Sequence, residues 1–126
     1  MIRGLDHVVL TVRDPERAAA FYARVLGLDH VRFGDGRHAL RFGAQKINLH
    51  RLGQETRNHA CIGSGDLCLV TDWPVDATLD HLARHGVDVV EGPATKDGAL
   101  GPVTSVYFRD EDGNLIEIAR YDEGLE

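Results

Sequence analysis

No stretch of the 126-residue chain approaches the roughly 20 consecutive apolar residues that a membrane-spanning helix needs, so no such anchor is expected. No secretory leader is visible either. Met1 to Asp6 lead straight into a strand-like pattern, and a cytoplasmic location is the expectation. Cysteine is scarce: Cys61 and Cys68 form neither a framework spacing nor a CxxC pair, which excludes a disulfide scaffold and reads as two reduced thiols. Basic residues are outnumbered, 14 Lys and Arg against 20 Asp and Glu, for a net charge of −6. That balance argues against a nucleic-acid partner, which needs a basic stripe. What remains is 43% hydrophobic and 27% charged, the composition of one ordinary globular domain.

The apolar pattern divides this domain into elements. Residues 5–12 are β-branched and apolar and read as a strand. Asp14 and Pro15 then open a helix, Asp as the N-cap acceptor and Pro at the first position, where its missing N–H is not needed. Ala18, Phe21, Tyr22, Val25 and Leu26 form one apolar helical face, and Gly27 ends it. Short Gly-marked breaks predict strands at 29–33, 37–42 and 45–50. After a polar, non-periodic linker the order repeats. A strand is expected at 66–71, then a helix with Val75, Leu79, Leu82 and Ala83 on its apolar face, stopping at Gly86. Strands near 88–91, at 103–109 and at 114–119 follow, the last two joined by a turn at 110–113. The Gly- and Pro-containing stretch 92–102 reads as a long loop and as the best candidate for a lid. The fold class is therefore α+β: two βαβββ modules, 1–52 and 65–122, joined by a linker at 53–64. They are expected to build a cupped mixed sheet with the helices on its outer face.

Strand alternation sorts the side chains. Val8, Leu10, Val12, Ile47, Leu49, Leu67, Leu69, Val106, Phe108, Ile116 and Ile118 belong on the helix side. The opposite face mixes small apolar residues with His7, Arg41, Asn48, His50, Asp66, Ser105, Tyr107 and Glu117. A half-apolar face carrying a few convergent polar groups is what a ligand pocket requires. Cys68 has this face too, but between Leu67 and Leu69 it reads as a buried, inert thiol.

Several of these residues together resemble the vicinal-oxygen-chelate superfamily of glyoxalase I, fosfomycin-resistance enzymes, bleomycin-binding proteins and extradiol dioxygenases. They are Leu5-Asp6-His7, Phe21-Tyr22 with Val25 to Leu28, and Tyr107 to Asp110 continuing through Gly113 to Glu117. The segment from Phe42 to His50, with Asp66 to Leu69, is similar to a glyoxalase-domain subgroup, some of whose bacterial members are called virulence-associated. The resemblance covers nearly the whole chain. It implies a divalent metal with His7, Asp66 and Glu117 as ligands and Asn48 in the place of a fourth. Asp66 stands where the family usually has His, and Asn48 where some members have Glu or Gln. It also implies a homodimer whose sites can take ligands from both subunits.

One imidazole nitrogen with carboxylate oxygens is a hard donor set, suited to Mn²⁺, Fe²⁺, Ni²⁺ or Zn²⁺. Such an ion would polarise a carbonyl or chelate neighbouring substrate oxygens. Glu117 and His50 are the candidate catalytic groups, and Arg41, Ser105 and Tyr107 the candidate substrate contacts. Three readings follow. The first is a metal-dependent lyase, isomerase or transferase acting on a small oxygen-rich molecule, a dioxygenase being disfavoured because its iron triad needs two His. The second is a metal-free small-molecule binding protein of the bleomycin-resistance type. The third is a dimerising structural module.

Overall fold

The computed structural model describes residues 1–121, so the expected module end at 122 lies outside the described residues. Two compact units emerge, Met1–Gly65 with Glu111–Gly113, and Asp66–Asp110 with the chain from Asn114 onward.

In the first unit β1 (His7–Val12) leads into α1 (Pro15–Leu26), and β2 (Asp29–Phe33), β3 (Arg37–Phe42) and β4 (Gln45–Arg51) follow. The sheet order is β1-β4-β3-β2, with β1 parallel to β4 and the other pairs antiparallel. The start of α1 follows from its sequence. Asp14 Oδ1 accepts the backbone N–H groups of Glu16 at 3.1 Å and Arg17 at 3.3 Å, donors that the first helical turn leaves without partners. Gly27 closes the helix in the left-handed region at φ 68°. Tyr22 and Val25 are wholly buried, packed with Leu10, Leu40, Ile47 and Leu49 in the core of this unit. The turn 111–113 is bound to the same unit, with Asp112 accepting from the backbone and guanidinium of Arg13 at 3.0 and 3.1 Å.

The second unit repeats the plan: β5 (Asp66–Val70), α2 (Val75–Arg84), β6 (Glu91–Gly98), β7 (Gly101–Arg109) and β8 (Leu115–Tyr121), in the sheet order β5-β8-β7-β6. The βαβββ order and the α+β class are thus as the pattern predicts. Phe108 and Ile116 are fully buried, and Val106 and Leu82 nearly so. Asp110 and Asn114 bracket the β7–β8 turn, where Asn114 donates its backbone and side-chain N–H groups to the two carboxylate oxygens at 2.9 Å each.

Three expectations need correction. Residues 92–98 are a paired strand rather than a loop, and the lid reading falls with it. Gly and Pro hid the strand, yet both have a place on an edge strand, where one side needs no ladder partners. A bulge between Glu91 and Ala94 absorbs them, and Gly92 sits at φ 105° with its backbone so near β7 that an added Cβ would clash with the Ser105 carbonyl oxygen. Residues 88–90 accordingly precede the strand instead of forming one. On α2, Ala83 is exposed and Thr78 is buried, so the packed face runs through Val75, Thr78, Leu79 and Leu82. The hydroxyl of Thr78 misled the apolar count. The third correction concerns Cys68, which is exposed rather than buried, because β5 is the edge of its sheet.

Candidate functional site

The register places the polar residues of each sheet on the face away from the helix. In the first unit His7 lies opposite Lys46, Asn48 opposite both Val9 and Ala39, His50 opposite Thr11, and Arg41 between Asp29 and Lys46. In the second, Glu117 lies between Cys68 and Tyr107, and Asp66 opens β5 opposite Leu115. Each sheet therefore carries its own polar cluster.

Glu117 is the centre of the second cluster. Ser105, 1% exposed, donates its hydroxyl to Glu117 Oε2 at 2.6 Å. Tyr107 and Cys68 flank the same carboxylate from the two neighbouring strands. Partial desolvation of the sulfur and then the Glu117 charge push the Cys68 thiol up to about 11, and desolvation followed by the nearby Glu117 carboxylate raises Tyr107. Cys68 is therefore a protonated thiol rather than a nucleophile. Along the same row Lys96 pairs with Glu91 at 2.6 Å and lies over the Tyr107 ring.

His7 governs the first cluster. Its Nδ1 meets Asp6 Oδ2 at 2.8 Å. A carboxylate on Nδ1 fixes the proton there and leaves Nε2 with a bare lone pair, the arrangement by which metal-binding imidazoles are oriented. Asn48 is 7% exposed, and its Oδ1 and His50 Nδ1 are buried without a hydrogen-bond partner among the described residues. Burial is the main cause that lowers the pKa of His50. Arg41 is exposed, while Lys46 Nζ sits 3.6 Å from the centre of the Phe33 ring.

The donors thus fit a divalent ion in kind: an oriented imidazole in one unit, and a hydrogen-bonded carboxylate together with Asp66 in the other. Among the described residues of one chain, no three His, Cys, Asp or Glu side chains come together as a metal-binding group. Sequence reasoning singled out His7 and Glu117 but missed their supports, Asp6 and Cys68. Asp6 was legible as a carboxylate next to the imidazole, whereas the Cys68 contact depended on strand pairing.

Comparison with known proteins is decisive at the level of family. The model of the glyoxalase/bleomycin resistance protein/dioxygenase superfamily matches residues 4–118. The chain belongs to this superfamily. Its relatives include the glyoxalase domain-containing protein RDO1 of Mycosarcoma maydis, 47% identical over 97% of this chain and 70% of that one. Virulence protein STM3117 of Salmonella typhimurium is 45% identical over 96% of this chain and 86% of that one. The solved structure of the integron cassette protein VCH_CASS1 of V. cholerae superposes with a TM-score of 0.91 at 49% identity, covering 97% of this chain and 98% of that one. Two more distant solved structures differ in what their names record. One is a lactoylglutathione lyase of Agrobacterium tumefaciens, at 25% identity and TM-score 0.79 over the full length of both chains. The other is the antibiotic binding protein TnmS3 of Streptomyces sp. CB03234, at 26% identity and TM-score 0.75 over 96% of this chain and 98% of that one. No helix among the described residues is long and apolar enough to cross a membrane.

Proposed function

We propose that this superfamily member is a metal-dependent, glyoxalase-like enzyme, a lyase, isomerase or transferase, acting on a small oxygen-rich molecule. The observation that carries the reading is the Asp6–His7 contact, which leaves His7 Nε2 as a ready metal donor. His7, Asp66 and Glu117 would hold the ion, with Asn48 as a further oxygen donor. When bound, a divalent ion polarises a substrate carbonyl or hydroxyl and stabilises the negative charge that develops there. The chain's own residues do the rest. Ser105 orients the Glu117 carboxylate through its hydrogen bond, with Tyr107 and Cys68 on either side of it. His50 stands beside the first cluster, its charged form disfavoured by burial, and offers its ring to the substrate there. Arg41 and Tyr107 receive the polar ends of the substrate. From the family resemblance we further propose a homodimer whose sites can draw on two chains.

The test is metal analysis of protein purified without chelator, followed by thermal melts with Mn²⁺, Ni²⁺ or Zn²⁺. Binding to the folded state alone raises the melting temperature in proportion to the logarithm of metal concentration. His7→Ala and Glu117→Ala should each remove that rise. Wild-type protein that neither holds metal nor gains stability from any of these ions would overturn the enzyme reading. It would favour the second one, a metal-free binding protein, which the likeness to TnmS3 and the Asp66 and Asn48 replacements support. A monomeric mass by sedimentation would remove the dimer proposal.

A further inference from the structure

His50 Nδ1 and Asn48 Oδ1 are the two buried side-chain atoms left without a partner among the described residues. Burying a polar group unpaired is costly, so such atoms ask for an explanation. His50 also lines a groove of about 260 Å³. Thr11, its cross-strand neighbour, lies at the same groove, Arg51 lines it from the end of β4, and the polar segment that follows adds Glu55, Asn58 and His59.

The tautomer of the neutral ring follows from its burial. Orphaned buried N–H groups are rarer than orphaned acceptors, so Nδ1 carries the lone pair and the proton resides on Nε2. With Nδ1 buried, the ring meets the groove through its remaining edge, and Nε2–H is the donor there. Charge points the same way. Glu55 is the one acid lining the groove, and Arg57 already occupies it: Nε reaches Oε1 at 2.9 Å, a terminal nitrogen reaches Oε2 at 2.6 Å, and the backbone N–H adds a third bond at 2.8 Å. Arg51 has no acidic partner among the described residues; its guanidinium donates only to the Arg13 carbonyl, at 3.3 Å. The groove therefore presents a cation, an imidazole N–H, a hydroxyl and a side-chain amide, with its single carboxylate neutralised. Planar, anionic oxygens suit such donors, and charge-assisted bonds are the strong ones.

We propose that this groove is a subsite for the carboxylate of a small organic acid, with His50 and Arg51 as its donors. The volume sits just below the usual range for ligand pockets and matches a metabolite-sized molecule. The proposal deepens the small-molecule reading given above by naming the substrate class, and it does not depend on metal.

Backbone amide spectra of the chelator-treated full-length protein test it, so that the fate of the metal reading leaves the outcome untouched. Glycolate, malate and benzoate are each titrated against the corresponding primary amide, up to roughly 20 mM, where even millimolar affinity is visible. At least one acid should give saturable shifts centred on Thr11, His50, Arg51 and the 55–60 segment, and should bind about tenfold more tightly than its amide. His50→Phe keeps a ring but removes the donor, and Arg51→Met removes the charge. Each should weaken that acid about fivefold or more. The proposal is overturned if no acid saturates, if acid and amide bind alike, if the shifts centre on β7 and β8, or if both folded variants bind as wild type does. Should either variant unfold, as the spectra would reveal, the wild-type acid-against-amide comparison decides.

Discussion

Ser105 donates its hydroxyl to the Glu117 carboxylate at 2.6 Å from two residues along β7, diagonal to the Tyr107 that directly opposes Glu117. A strand diagonal is within reach of polar side chains, and the full burial of Ser105 shields this bond from water. Ser105→Ala should therefore lower the unfolding free energy by about 1.5–3 kcal/mol, the range for a hydrogen bond to a charged group. Urea unfolding measures it. A loss under about 0.5 kcal/mol would mean that this bond contributes little to the fold.

In the proposed metal site Asp6 would act on the ion only through His7. Asp6→Asn keeps the shape but weakens the grip on Nδ1, and loss of such a support typically lowers metal affinity 10- to 100-fold. Competition with a chromogenic chelator would report it. An unchanged affinity alongside a large loss in His7→Ala would show that His7 needs no orienting partner.

His30 Nε2 and His38 Nδ1 are 2.8 Å apart in nearly parallel rings. Burial first, then Arg32 and His30, lower the pKa of His38, against smaller opposing effects of Glu16 and Asp14. The unfolded chain then binds more protons at this position than the fold does. Its contribution to stability is complete above the ordinary value of about 6.5 and is lost as pH falls through the folded pKa. His50 shifts in the same direction and adds to the slope. Melting temperatures should decline from pH 7.5 towards pH 5, and His38→Gln should flatten part of that decline. A profile for His38→Gln parallel to wild type would refute the assignment.

Gly92 combines a left-handed backbone with a close approach to β7. Gly92→Ala should cost at least about 2 kcal/mol, because both the conformation and the space are denied to a Cβ. The same change at Gly4, where a Cβ meets nothing within 4 Å, is the control and should be nearly neutral. Equal melting temperatures for the two variants would contradict the close contact.

The local rules of the chain settled much of this protein without any structure. Asp14, Pro15 and Gly27 bound α1 because capping depends on only a few neighbouring backbone groups. Alternation alone assigned Ile47, Leu49, Ile116 and Ile118 to the helix side, since a strand has only two faces. The same alternation put His7, Asn48, His50 and Glu117 on the other one. Other features depended on residues far apart in sequence. The 92–98 strand became visible only once β7 lay beside it, because pairing outweighs the poor intrinsic strand preference of Gly and Pro. The exposure of Cys68 and its place beside Glu117 required knowing that β5 is an edge that pairs with β8. The orphaned nitrogen of His50 and the neutralised Glu55 across the groove came from packing alone, since burial and hydrogen-bond satisfaction are properties of a site and of no single residue.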